Sequence, residues 1–336
     1  MTSPIDRANG PDRPCEGALG RRAPRTRRGG PWILGLILIL LPGGVAAQAG
    51  SSGPSDQPGQ SGQSSQSNQS VPSDPSGPGW LFPDRALLPG LMGGARDPVT
   101  TGQLVYDWEN PTAFGPGVAG EVSISGAVAV ARLTGSGPDD ALVVGLEGTA
   151  FVRFSFQVVT RELVNTDWIF TVPLVWHRGD HWFRLRYYHT SSHLGDEYQK
   201  RFGPSSVNFS RDGADATAYV RPGAGWTRDL GLAVYGLVFW SVNSHPEERP
   251  LWEARGGLEI DPADGALWAP FLTADVHAEE GTGWAPRWTI QAGIWLLRVQ
   301  GRPLRLAVQA FTGPSPLGQF RTRDGGRVGI GLFWNP

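Results

Sequence analysis

The sequence predicts an all-β fold, an antiparallel transmembrane β-barrel of about twelve strands, with ten as the nearest alternative. Three observations carry this. From residue 100 on, strand-length segments rich in Val, Leu, Trp, Phe and Tyr recur between Gly, Pro and Asp turns. Several of these segments exceed ten residues and alternate polar with apolar side chains, as a tilted membrane span does. Charged residues make up only 18% of the 336-residue chain, against about a quarter in ordinary globular domains.

Residues 1–47 read as an export signal. Arg21, Arg22, Arg25, Arg27 and Arg28 form a positive region before the short apolar run Trp32–Leu41, and Val45-Ala46-Ala47 is a small-residue cleavage motif. The run is about half of the roughly 20 residues that a spanning helix needs. Its removal takes seven arginines and three acids, leaving 22 basic against 28 acidic residues and a net charge of −6. No basic stripe falls on a folded segment, so no nucleic-acid partner is expected. The lone cysteine, Cys15, lies before the mature start, so disulfides, thiolate metal sites and a cysteine nucleophile are not expected. Residues 48–79 are almost entirely Ser, Gln, Pro, Gly, Asn and Asp, too poor in apolar surface to offset ordering entropy, and read as a disordered linker.

Residues 80–336 are assigned to the barrel. Strands are expected at 100–108, 119–133, 139–154, 166–177, 181–191, 206–220, 226–242, 250–260, 267–278, 284–299, 303–312 and 320–334. Every second connection is short and the others mostly longer, which is the pattern of tight periplasmic turns and longer outer loops. An even strand number places both termini on the periplasmic side. In 183–191, Phe183, Leu185, Tyr187, His189 and Ser191 share one face, whereas Arg184, Arg186 and Tyr188 share the other. That suits a lipid-facing wall and a polar lumen. Tryptophans 168, 176, 182, 226, 240, 252, 268, 284, 288, 295 and 334 fall near strand ends, as interfacial belts require. The last segment, ending on aromatics, resembles the assembly signal of outer-membrane barrels. The implied partners are outer-membrane lipids and the barrel assembly machinery, and the implied location is a bacterial outer membrane.

The densest polar cluster is Tyr187 to Tyr198, where the fifth strand meets an outer loop. Side chains on a strand repeat every two residues, so His189 and Ser191 project side by side. A hydroxyl and an imidazole so placed are a nucleophile and its base. A third group must hold the imidazole tautomer. Asn208 is in phase with Ala214, Ala216 and Ala218 and is the first choice, with Asp196 or Glu197 as alternatives. Phase favours Ser191 over Ser192 as nucleophile. His193, Asp196 and Glu197 are candidate ligands for Ca²⁺, whose oxygen preference suits such a loop. The bland reading is an interfacial rim of Tyr, His and Ser, with Asn208 as a strand-entry residue. No Gly-rich phosphate loop, GxSxG elbow or HExxH occurs, which sets aside the common nucleotide-binding and soluble-hydrolase readings.

His189-Thr190-Ser191 followed by Asn208 resembles the His-x-Ser…Asn arrangement of outer-membrane phospholipase A, a twelve-stranded barrel, and the His-x-Ser…Glu arrangement of lipid A deacylase. That resemblance implies hydrolysis of lipid esters on the outer wall. Ser192-His193 stand where the phospholipase usually has Asn-Gly, and the interval to Asn208 is longer. A wider resemblance, from about Trp80 onward, is to the domain-of-unknown-function 1207 family. It is carried by TrpLeuPheProAsp at 80–84, TyrHisThrSerSerHisLeuGlyAspGlu at 188–197 and ValAsnPheSerArgAspGlyAlaAsp at 207–215. It implies an exported barrel and assigns no activity. Two functional readings follow: a serine-type lipid acyl-ester hydrolase, or a non-catalytic structural, lipid-binding or narrow-pore barrel.

Overall fold

The computed structural model describes residues 80–335 apart from 136, 138, 224, 250, 265, 300 and 301. The expected export signal and linker lie outside the described residues. Twelve strands form one closed antiparallel barrel in which each strand pairs with its sequence neighbours and the first pairs with the last. They are β1 (Thr100–Glu109), β2 (Gly117–Thr134), β3 (Leu142–Ser155), β4 (Leu163–Arg178), β5 (His181–Leu194) and β6 (Phe209–Val220), then β7 (Leu232–His245), β8 (Trp252–Ile260), β9 (Pro270–Glu279), β10 (Arg287–Val299), β11 (Arg302–Pro314) and β12 (Asp324–Trp334). Closure leaves no free edge. It is sealed by a register running from Thr100 opposite Trp334 to Glu109 opposite Gly326. No described helix is long and apolar enough to cross a membrane.

The expected contrast in loop length is weaker than the sequence suggests. On the rim that carries Thr100 and Trp334, here the terminal rim, the connections 221–231 and 261–269 are as long as most on the far rim. The cause is that β7 and β9 begin later than expected. Trp226–Asp229 forms a helical turn (α2) instead of strand.

Alternation sorts the side chains cleanly. Bulky apolar residues face outward, among them Leu104, Ile124, Leu185, Val238 and Ile330. Outward tryptophans mark two levels: Trp168, Trp240, Trp252 and Trp288 toward the far rim, and Trp176, Trp226 and Trp268 toward the terminal rim. Trp182 and Trp295 depart from the belt reading. Both are buried on the lumen side, where Trp182 stacks on Tyr219 with ring centroids 4.9 Å apart.

Inward residues are polar and largely matched in charge. Arg186 lies 2.6 Å from Asp215 and 3.8 Å from Glu147. Arg211 Nη1 lies 2.7 Å from both Glu253 and Glu279. Arg153 bridges Glu121 and Asp107, and Arg327 meets Glu121 from across the β1–β12 closure. Each cation thus offsets the desolvation of neighbouring carboxylates.

A feature without any periodicity fills the rest of the lumen. Residues 80–99 form an internal strap. It starts with a bridge from Leu81 to Ala131 on β2 and a 3-10 turn at Arg85–Leu87, whose N-cap Asp84 accepts a hydrogen bond from the Ala86 amide. Leu87, Leu88 and Leu91 then pack with Val143, Val175 and Trp182 as an apolar plug. Beyond it the Met92 amide donates to Glu259 at 2.6 Å. Arg255 grips both oxygens of Asp97 at 2.6 Å, and Arg96 reaches the Pro316 carbonyl and Asp167. A Cβ on Gly93 would stand 2.6 Å from the Tyr235 hydroxyl and one on Gly94 would stand 2.0 Å from Arg255 Nη2. Glycine is what lets the strap lie this close to the wall. The charged cavity left between strap and far rim is about 150 Å³.

Candidate active site

The site is built on the outward faces of β5 and β6. Burial alternates along β5 so that Phe183, Leu185, Tyr187, His189, Ser191 and His193 face away from the lumen. The pairing places His189 directly opposite Asp212, and Ser191 opposite Ser210. His189 Nδ1 lies 2.8 Å from Asp212 Oδ1. The Tyr187 hydroxyl donates to the same oxygen at 2.7 Å. A register shift between Asp212 and Gly213 marks a bulge against β7. It turns both Val242 and Asn243 outward, and the pairing sets Asn243 opposite Asp212. Bulges re-aim side chains in this way. Polar groups on a lipid-facing wall are costly unless partnered, and here Asp212 is partnered by both Tyr187 and His189.

An imidazole that donates Nδ1–H to a carboxylate presents the lone pair of Nε2. Ser191 lies on the same face, two residues or about 6.6 Å along the strand. No hydrogen bond joins Ser191 to His189 among the described residues, so the serine stands beside its prospective base without being tied to it. Trp168 and Phe170 of β4, opposite Ser191 and His189 respectively, flank the pair on one side. Ser192 is turned into the wall. Its hydroxyl meets Asp167 and Asn165 and accepts from the Gln319 amide, which locks β5 to the β11–β12 loop.

Two expected roles are corrected. Asn208 is exposed, precedes β6 and does not partner His189. The pairing of β5 with β6 begins at Ser192 opposite Phe209, so the side chain facing His189 is four residues further on. The orienting role also does not fall to Asp196 or Glu197. They are exposed in the first turn of a short helix, α1 (Asp196–Phe202), where acids suit the helix dipole. His193, Asp196 and Glu197 do not converge on a cation site, and no group of three metal-ligating side chains occurs among the described residues. Arg201, in the last turn of α1, pairs with Glu162 at 2.7 Å and holds that carboxyl below its usual range.

The molecule is thus a closed twelve-stranded barrel with a plugged lumen and a polar His–Asp–Ser patch on its outer wall. A family model described as "Protein of unknown function (DUF1207)" matches residues 105–335, and the chain belongs to that family. No curated protein matches its sequence. Among solved structures it is similar to outer membrane phospholipase A from Escherichia coli, at 13% identity and a TM-score of 0.48, over 71% of this chain and 90% of that one. It is likewise similar to the Salmonella typhi outer membrane phospholipase dimer with bound calcium, at 13% identity and 0.48, over 70% and 90%. The KdgM porin in complex with disordered oligogalacturonate gives 8% identity and 0.41, over 71% and 99%.

Proposed function

We propose that this barrel is an outer-membrane lipid esterase acting on its outer wall. The observation that carries the reading is the Asp212–His189 pair, held on the lipid-facing side with Ser191 next along the same face. In the proposed reaction Ser191 Oγ attacks the acyl carbonyl carbon while His189 Nε2 takes the hydroxyl proton. Asp212 holds the ring in the tautomer that permits this and balances the imidazolium that forms. As the ester C–O bond breaks, His189 returns the proton to the leaving alkoxide oxygen. Water then attacks the acyl-serine, His189 takes its proton and passes it back to Ser191 Oγ, and the fatty acid leaves. The two tryptophan levels support a membrane location, with both termini at the periplasmic rim and the patch toward the outer one.

The test is fatty-acid release from phospholipid and from lipid A by the refolded barrel, with and without Ca²⁺, against Ser191→Ala and His189→Ala. Release that both substitutions abolish, in variants that still fold, supports the esterase. Absence of release, or release that survives both substitutions, overturns it in favour of a non-catalytic barrel.

A further inference from the structure

From Ser210 to Ala218 the outward side chains of β6 are short: Ser210, Asp212, Ala214, Ala216 and Ala218. The strands beside it are proud. Phe183, Leu185 and Tyr187 of β5 stand opposite Ala218, Ala216 and Ala214, and Val238 and Trp240 of β7 rise on the other side. The floor continues through Gly236, where an added Cβ would meet nothing within 4 Å, and through Ala254. The result is an apolar trough of about 670 Å³ in the outer wall. Beyond its Ala216 end, on the same strand and the same face, stands Asp212 with His189 and Ser191.

From this geometry we infer that the trough seats one acyl chain of the lipid whose ester Ser191 attacks. The inference rests on the esterase reading and adds a substrate requirement, a long acyl chain, to it. The trough fits such an occupant in three ways. Its outward lining is apolar. The line of outward side chains from Asp212 through Ala214 into the trough at Ala216 and Ala218 runs about 20 Å, a vertical drop of about 15 Å at the usual strand tilt, or half of the roughly 30 Å hydrocarbon core. Its Ala and Gly floor also lies below the taller Phe183, Leu185 and Val238 side chains, on which the convex wall of a second barrel would ride without reaching it. A thin, flexible chain reaches it.

The experiment compares kcat/KM for p-nitrophenyl palmitate and p-nitrophenyl butyrate in detergent micelles. The proteins are the full chain, Ala216→Phe, Gly236→Leu and, as a bulky control elsewhere on the wall, Ile330→Trp. Two filling variants on different strands guard against one that fails to fold, and heat-modified electrophoretic mobility reports folding. The expected result is a palmitate-to-butyrate ratio at least tenfold lower in both filling variants and unchanged in the control. A ratio unchanged by filling, with hydrolysis still dependent on Ser191, overturns the trough alone. Equal loss on both esters, together with a shift from dimer to monomer in sedimentation, assigns the trough to a second copy and also overturns it. If the full chain hydrolyses neither ester above Ser191→Ala, the esterase reading falls and the trough inference with it.

Discussion

Replacing Asp97 with alanine tests how firmly the strap closes the lumen. Asp97 accepts two hydrogen bonds from Arg255, each 2.6 Å long, and one from the Gly94 amide at 2.7 Å. Removing one partner of a buried ion pair costs about 3–5 kcal/mol. Arg255 keeps Asp275, 2.6 Å from its Nε, so the guanidinium is not left bare and the lower figure applies. About 3 kcal/mol is roughly a hundredfold in the equilibrium between docked and released strap. The reporter is the Met92 amide, which donates to Glu259. Its hydrogen-exchange protection factor is expected to fall about a hundredfold in Asp97→Ala. Acid should do the same to the natural protein. Burial pushes the Asp97 carboxyl up, but Arg255 outweighs it and holds the group below its usual range. A depressed folded-state value gives stabilisation that is complete above the unfolded value, about 3.9, and is lost as pH falls through the folded one. The Asp97→Ala strap should lack that acid dependence. Equal Met92 protection in the two proteins at neutral pH would refute the anchoring role of this pair.

Other expectations follow from the same contacts. Asp212→Ala should lower fatty-acid turnover by about 10²–10⁴-fold, whereas Asn208→Ala should leave it unchanged; initial rates on one phospholipid decide this. Tyr187→Phe removes one of the hydrogen bonds on Asp212, worth about 1 kcal/mol, so kcat should fall severalfold with a shifted pH–rate profile and little change in KM. Ser192→Ala should keep hydrolysis while lowering stability in urea, because its hydroxyl is engaged with Asp167 and Asn165. Arg186→Leu should cost about 3–5 kcal/mol by stranding Asp215, and Arg186→Leu with Asp215→Leu should recover much of that loss; denaturant midpoints measure both.

The twelve strands were legible because a two-residue period exposes itself wherever one face meets lipid and the other a polar lumen. Phe183, Leu185 and Tyr187 against Arg184, Arg186 and Tyr188 are such a run, and the structure splits them as expected. Parity also foretold that His189 and Ser191 share the outer face. Register was not legible. Ser210, Asp212 and Asn208 have the same parity, and which of them faces His189 depends on how residues 195–208 are spent. Seven of those go into α1. Trp182 and Trp295 looked like belt residues because tryptophan near a strand end suits an interface, yet their parity on β5 and β10 sends them inward. The strap was invisible for a different reason. Residues 84–99 have neither a helical nor a strand period, and they are ordered mainly by partners far along the chain, from Val143 to Arg255 and Glu259.

The height of the polar patch is what favours chemistry over a decorative rim. Ser191 lies beside Trp168 and Ala214 lies beside Trp240, so Asp212 and His189 sit within the far-rim tryptophan level. Such levels mark the membrane interface. There a lipid presents its ester groups while its chains lie in hydrocarbon below, and water is close enough to release an acyl-serine. A headgroup-facing rim asks only for scattered polar groups that water can solvate. It gives no reason for one carboxylate oxygen to be gathered by Tyr187 and His189 at once. A base whose ring must be held in one tautomer does give that reason.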